Sequence, residues 1–126
     1  MACPFFEPTN PLPDLILYPT PLGDLYMGCC RASGREPDES HARQSCNFGY
    51  ARGRCSDFPE AAPSDAVRFS ILAASADLVR LRYSTERDHY PREQGEIEIA
   101  RNGAPPDDTL TKQAGAFVAA YRRRKD

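Results

Sequence analysis

Reactive side chains gather in one stretch of this 126-residue chain, Cys46-Asn47-Phe48-Gly49-Tyr50-Ala51-Arg52-Gly53-Arg54-Cys55, and three more cysteines lie upstream at Cys3, Cys29 and Cys30. Four thiolates converging on one point are the usual ligand set of structural zinc and of iron-sulfur clusters. The spacing is Cys3-x26-Cys30-x15-Cys46-x8-Cys55, or x25 and x16 if Cys29 is the second ligand. No Cys-x2-Cys knuckle of the kind common in zinc ribbons and fingers occurs, and a cluster, being larger than a single ion, is often gripped by separate loops. The expected ligands are Cys3, Cys30, Cys46 and Cys55. Cys29 is the alternate. The expected cofactor is a 4Fe-4S cluster, with zinc as the alternative.

The neighbours of these cysteines suit such a site. Gly49 and Gly53 let the loop bend closely around it and turn backbone N–H groups toward sulfur, which tunes a reduction potential. Phe5, Phe6, Phe48, Tyr50 and Phe58 supply bulk that excludes water, in part through the repeated Cys-x2-Phe spacing of Cys3-Phe6 and Cys55-Phe58. Arg52 or Arg54 would offset the net charge of about −2 that either a tetrathiolate zinc or an oxidised cubane carries, so arginine does not discriminate the two. Phe48, Gly49, Tyr50 and Arg52 are therefore expected to surround the ligands. The competing reading is that the cysteines are small buried apolar groups. Against it, all five lie in the proline-rich half of the chain, among glycines and charged residues.

Cys3-Pro4-Phe5, Gly28-Cys29-Cys30, Cys46-Asn47-Phe48-Gly49-Tyr50-Ala51 and Cys55, with Asp65-Ala66-Val67-Arg68-Phe69 beyond, together resemble in outline a family of small uncharacterised bacterial four-cysteine proteins. The resemblance covers about the first seventy residues. It favours Cys30 over Cys29 and implies no activity.

Nucleophilic cysteine chemistry needs a base, and the only histidines are His41 and His89. Both read as exposed loop residues. Glu86, Asp88 and His89 have the types to bind a divalent ion, but a charged turn between strands has the same composition. No phosphate-cradling glycine loop, Gly-x-Ser-x-Gly elbow or His-Glu-x-x-His helix is present. A site with four cysteine ligands also lacks the open position that Lewis-acid chemistry uses. No catalytic residue is assigned, and a non-enzymatic role is favoured.

Two halves of the chain must position these residues. Residues 1–65 hold all five cysteines and nine of the twelve prolines, with 5 basic and 9 acidic side chains; residues 66–126 hold 11 basic and 9 acidic. Prolines at 4, 8, 11, 13, 19 and 21 predict an extended arm over residues 1–28, with a short strand at Leu15-Ile16-Leu17-Tyr18 and a turn at Pro21-Leu22-Gly23-Asp24. Residues 31–45 read as a polar loop, with a short helix starting near Asp38 and running into Cys46. From residue 66 apolar and polar side chains alternate. Val67, Phe69 and Ile71 define a first strand, Val79, Leu81 and Tyr83 a second, and, after a loop at 86–91, Glu96-Ile97-Glu98-Ile99 a third. Pairing of the second and third would set Arg80 and Arg82 beside Glu96 and Glu98. Asp107 or Asp108 caps a final helix whose Leu110, Ala114, Phe117, Val118 and Tyr121 share one face and cover the sheet.

The chain is thus expected to be one α+β domain: a three-stranded antiparallel meander with one C-terminal helix, a proline-rich N-terminal arm and cysteine-bearing loops. The favoured role is a small cytosolic metalloprotein that uses its cluster for electron transfer or redox sensing with an unknown protein partner. The alternative is a zinc-stapled or metal-free protein-interaction adaptor. A net charge of −2 predicts no nucleic-acid partner, and the lack of about 18 consecutive apolar residues predicts no membrane span. The N-terminal residues lack the basic start and apolar stretch of a secretory signal, and an odd cysteine count argues against a disulfide framework.

Overall fold

The computed structural model describes residues 2–12, 21–49, 55–102 and 107–125. Alternation in the second half builds an antiparallel sheet of β3 (Ala66–Ala74), β4 (Leu78–Arg87) and β5 (Tyr90–Ala100), in that order. Val67, Phe69, Val79 and Leu81 are buried on one face, while Arg68, Ser70, Arg80 and Arg82 are exposed on the other. The register pairs Arg80 with Glu98 and Arg82 with Glu96, as the charge pattern of the two strands predicts. The loop expected over 86–91 is instead a tight hairpin. Asp88 and His89 both adopt positive φ, 51° and 71°. That is the type I′ sense, which matches the right-handed twist of the flanking strands. The third strand consequently begins six residues earlier than its alternation suggests, with Pro91 tolerated because β5 is an edge strand.

A second sheet, absent from the sequence reading, pairs β1 (Phe6–Pro11) with β2 (Tyr26–Cys30). Pro8 and Pro11 read as strand breakers, yet each strand of a two-stranded ribbon has one free edge, where a missing N–H costs no ladder bond. Gly28 faces Pro8 across the ladder, and a Cβ on it would collide with the Glu7 carbonyl oxygen. The strand expected at 15–18 lies outside the described residues. The turn at 21–24 is present, with Gly23 at φ 86° packed against the Ala120 methyl.

The polar segment does form the short helix expected near Asp38. The Asp38 carboxylate accepts from the His41 amide at 2.8 Å and caps α1 (Glu39–His41). A π-helical turn (Ala42–Cys46) continues it, closed by the Asn47 amide on the Ala42 carbonyl at 3.1 Å.

Helix α2 (Thr109–Lys125) is capped by Asp108, whose carboxylate accepts from the Thr111 amide at 3.0 Å and from its hydroxyl at 2.9 Å. Ala114 and Val118 are buried, and Leu110, Phe117 and Tyr121 are half-buried. Gln113 and Ala120 are buried as well, so the packed surface is wider than the apolar stripe. The reason is that α2 serves both sheets. Phe117 packs on Phe69 of β3 with ring centroids 5.8 Å apart. Gln113 and Lys112 reach the β1 side, and the Tyr26 hydroxyl donates to the Ala116 carbonyl at 3.0 Å. A core of Phe6, Tyr26, Val67, Phe69, Val79, Leu81 and Val118 joins β1 to β4 with α2, and Ile97 and Ile99 of β5 pack against it. Among the described residues no helix is long and apolar enough to cross a membrane.

Candidate functional site: a cavity lined by four cysteines

Cys3, Cys30, Cys46 and Cys55, drawn from four separate segments, line one cavity of about 290 Å3. Each is held by backbone bonds that its local sequence permits. Ala2 exchanges both backbone hydrogen bonds with Val67 (2.7 and 2.8 Å), which extends the edge of β3 and delivers Cys3 to the cavity wall. The Cys3 amide then donates to the Cys46 carbonyl at 3.2 Å. The two Cys-x2-Phe segments fold alike: the Phe6 amide donates to the Cys3 carbonyl at 3.1 Å and the Phe58 amide to the Cys55 carbonyl at 3.2 Å. Phe5 and Phe58 tie these turns together edge to face, with centroids 5.5 Å apart.

Cys30 ends β2. Its amide donates to the Arg35 carbonyl at 2.9 Å and its carbonyl accepts from the Gly34 amide at 2.8 Å, a loop that needs the positive φ of Gly34 (74°). Cys46 closes the π-helical turn and is followed by the fully buried Asn47. The Asn47 side chain accepts from the Tyr26 amide (2.8 Å) and donates to the carbonyls of Tyr26 (2.9 Å) and Ala42 (2.7 Å). One side chain thus fixes β2, the helical turn and Cys46 relative to one another. Gln113 does the same for the first cysteine, donating to the carbonyls of Cys3 (2.8 Å) and Phe6 (2.6 Å).

Cys3 and Cys46 are each 7% exposed, whereas Cys30 and Cys55 are half-buried toward the cavity mouth. Burial pushes the Cys3 thiol up to about 12, against an amide bond from Phe5, with Cys30 and Cys55 adding to the rise. The Cys46 thiol is pushed up to about 12 by burial first, then by Cys3, Cys55 and Cys30. Both buried groups are neutral thiols near pH 7, so a cation that takes them as thiolates must displace protons.

Two polar features border the thiols. The His41 Nε2 lies 3.3 Å from the Cys55 Sγ. Across the mouth, Arg35 from the loop after β2 grips Asp57 from the turn after Cys55, at 3.0 and 3.1 Å to the two carboxylate oxygens. Sequence alone places His41 in an exposed loop, whereas in the structure it lines the cavity beside Cys55. Only the proximity of His41 to Cys46 in sequence hinted at this. Asn47 and Gln113 were likewise missed as positioning residues, Gln113 because it interrupts an apolar helix stripe.

The remaining anticipated residues divide. Cys29 does not line the cavity; it pairs with Glu7 in the β1–β2 ladder. Phe48 and Gly49 follow Cys46 without lining the cavity, and Tyr50 and Arg52 lie outside the described residues. Among the described residues no group of three or more His, Cys, Asp or Glu side chains stands close enough to hold a single metal ion, which includes Glu86, Asp88 and His89. Instead Glu86 pairs with Arg68 at 3.2 Å, and the Asp88 amide donates to Asp65 at 3.1 Å. No family model, no curated protein and no solved structure matches the chain.

Proposed function

We propose that Cys3, Cys30, Cys46 and Cys55 bind a 4Fe-4S cluster and that the protein serves in electron transfer or redox sensing with a protein partner. The observation that carries this reading is the shared cavity of about 290 Å3 into which four cysteines from four segments open. A tetrahedral zinc with Zn–S bonds of about 2.3 Å draws its sulfurs to within about 3.8 Å of one another. A cluster, being larger than a single ion, asks less convergence of four cysteines that come from separate segments. When bound, a cluster supplies a one-electron couple and, with four cysteine ligands, leaves no open coordination position.

The chain's own residues would do the rest. Phe5, Phe6 and Phe58 line the same cavity and lower the dielectric around it. His41 stands where its Nε2–H can donate to the Cys55 sulfur. The half-buried Cys30 and Cys55 leave one side of the cavity nearest to solvent, the side from which an electron or a small oxidant would approach. Metal and acid-labile sulfide content, with a visible spectrum, on protein purified without oxygen tests the proposal. About four iron and four sulfide per chain with a brown chromophore are expected. One zinc without sulfide would replace the reading by a stapled adaptor, and neither metal nor sulfide would make the cysteines packing groups.

A further inference from the structure

Along α2 from Gln113, which holds Cys3, to Arg122 is nine residues, or about 13 Å of helix. There a second cavity, of about 400 Å3, opens between the β3–β4 turn, the end of β5 and the last turns of α2. Ser75, Ala76 and Val79 line it from the hairpin, Arg101 from beyond β5, and Tyr121 and Arg122 from the helix. No described lining residue is acidic.

Both arginines turn to a single neutral acceptor. Arg122 Nη1 donates to the Ala76 carbonyl at 3.0 Å and Arg101 Nη1 to the same oxygen at 3.5 Å. Two positive groups that share one carbonyl repel each other, and the carbonyl does not neutralise them. The Arg122 Nη2 is buried and has no hydrogen-bond partner among the described residues. A buried guanidinium N–H without an acceptor is costly, and an anion seated beside it would supply one. The negative end of α2 supplies about half a charge, too little to balance two guanidinium groups. The Arg101 backbone amide donates to the Asp77 carbonyl at 2.8 Å, and Asp24 is taken by Arg123.

We propose that this cavity binds the phosphate group of a small molecule, with Arg101 and Arg122 donating to its oxygens. A phosphate monoester carries about −1.5 to −2 charges near pH 7, a match for two guanidinium groups that a single carboxylate lacks. Planar guanidinium forks also suit phosphate oxygens better than a point charge does. The volume falls within the range of about 300–1,000 Å3 typical of small-molecule sites and exceeds what a bare phosphate fills. Ala74, Val79 and the Tyr121 ring offer apolar wall for the remainder of the ligand. The site is independent of the cysteine cavity and of any cofactor there.

Calorimetric titration of the intact chain with inorganic phosphate and with phenyl phosphate, at constant ionic strength against a chloride control, tests the proposal. Saturable one-to-one binding is expected, tighter for phenyl phosphate and weakened at least tenfold by Arg101→Ala and by Arg122→Ala. Should Arg122→Ala fail to fold, Arg101→Ala decides, because Arg101 is exposed. Absence of saturable binding, or binding unchanged by Arg101→Ala, would overturn it.

Discussion

His41 Nε2 and Cys55 Sγ stand 3.3 Å apart, a contact across fourteen residues that joins the short capped helix to the last cysteine. With Cys55 as a cluster ligand, an Nε2–H donated to its sulfur stabilises the reduced, more negative state. Replacing His41 by alanine should therefore lower the midpoint potential, by about 20–60 mV if the bond contributes about 0.5–1.5 kcal/mol. Spectroelectrochemical titration reads the shift. His89→Ala, in the exposed hairpin turn, should leave the potential where it was; an equal shift in both variants would remove the special role of His41.

The adjacent cysteines separate cleanly in the fold. Cys30 lines the cavity, whereas Cys29 faces Glu7 across the small sheet. Cys30→Ser should therefore sharply reduce iron and sulfide content, as should Cys46→Ser and Cys55→Ser, while Cys29→Ser should retain the full complement. Elemental analysis of the four variants after anaerobic purification decides it. A loss confined to Cys29→Ser would reverse the ligand choice.

The contrast between the two halves of the molecule explains what could be read from sequence. Val67-Arg68-Phe69-Ser70 declares a strand because one face meets a core and the other meets water, and the same logic set the Arg80–Glu98 and Arg82–Glu96 register. A cap at Asp107 or Asp108 and a helix start near Asp38 were legible because capping is a local bond to an amide three residues on; the structure gives the caps to Asp108 and Asp38. The β1–β2 ribbon was not legible, since Pro8 and Pro11 break a strand in the interior of a sheet but not at a free edge. The convergence of Cys3, Cys30, Cys46 and Cys55 followed from chemistry rather than pattern. The residues that hold them, Asn47 and Gln113, act through contacts as far as 110 positions apart, which no local period records.

Asp108 offers a pH test of the helix itself. The Thr111 hydroxyl, then its amide, holds the Asp108 carboxyl below its ordinary value. A depressed folded pKa stabilises the fold fully above the unfolded value of about 3.9 and loses that contribution as pH falls through the folded one. Asp108→Ala should cost about 0.5–2 kcal/mol at neutral pH. In urea titrations the gap between the two proteins should narrow as pH drops below about 4. A gap that stays constant to pH 2 would mean that the carboxylate's charge is not what caps α2.

Asn47 carries the strictest demand on the site. It is fully buried, and its three hydrogen bonds serve the Tyr26 amide and the carbonyls of Tyr26 and Ala42. Alanine would leave those backbone groups without their side-chain partner beside a small void, at a cost of about 2–4 kcal/mol. Because the same side chain fixes the residue that follows Cys46, the loss should spread to the cavity, and a folded Asn47→Ala protein should take up less iron and sulfide than a variant destabilised equally elsewhere. Phe117→Ala provides that comparison: Phe117 packs on Phe69 of β3 and does not line the cavity. Matched stability with unequal cluster content would show that Asn47 positions Cys46; equal content in the two variants would reduce it to a core residue.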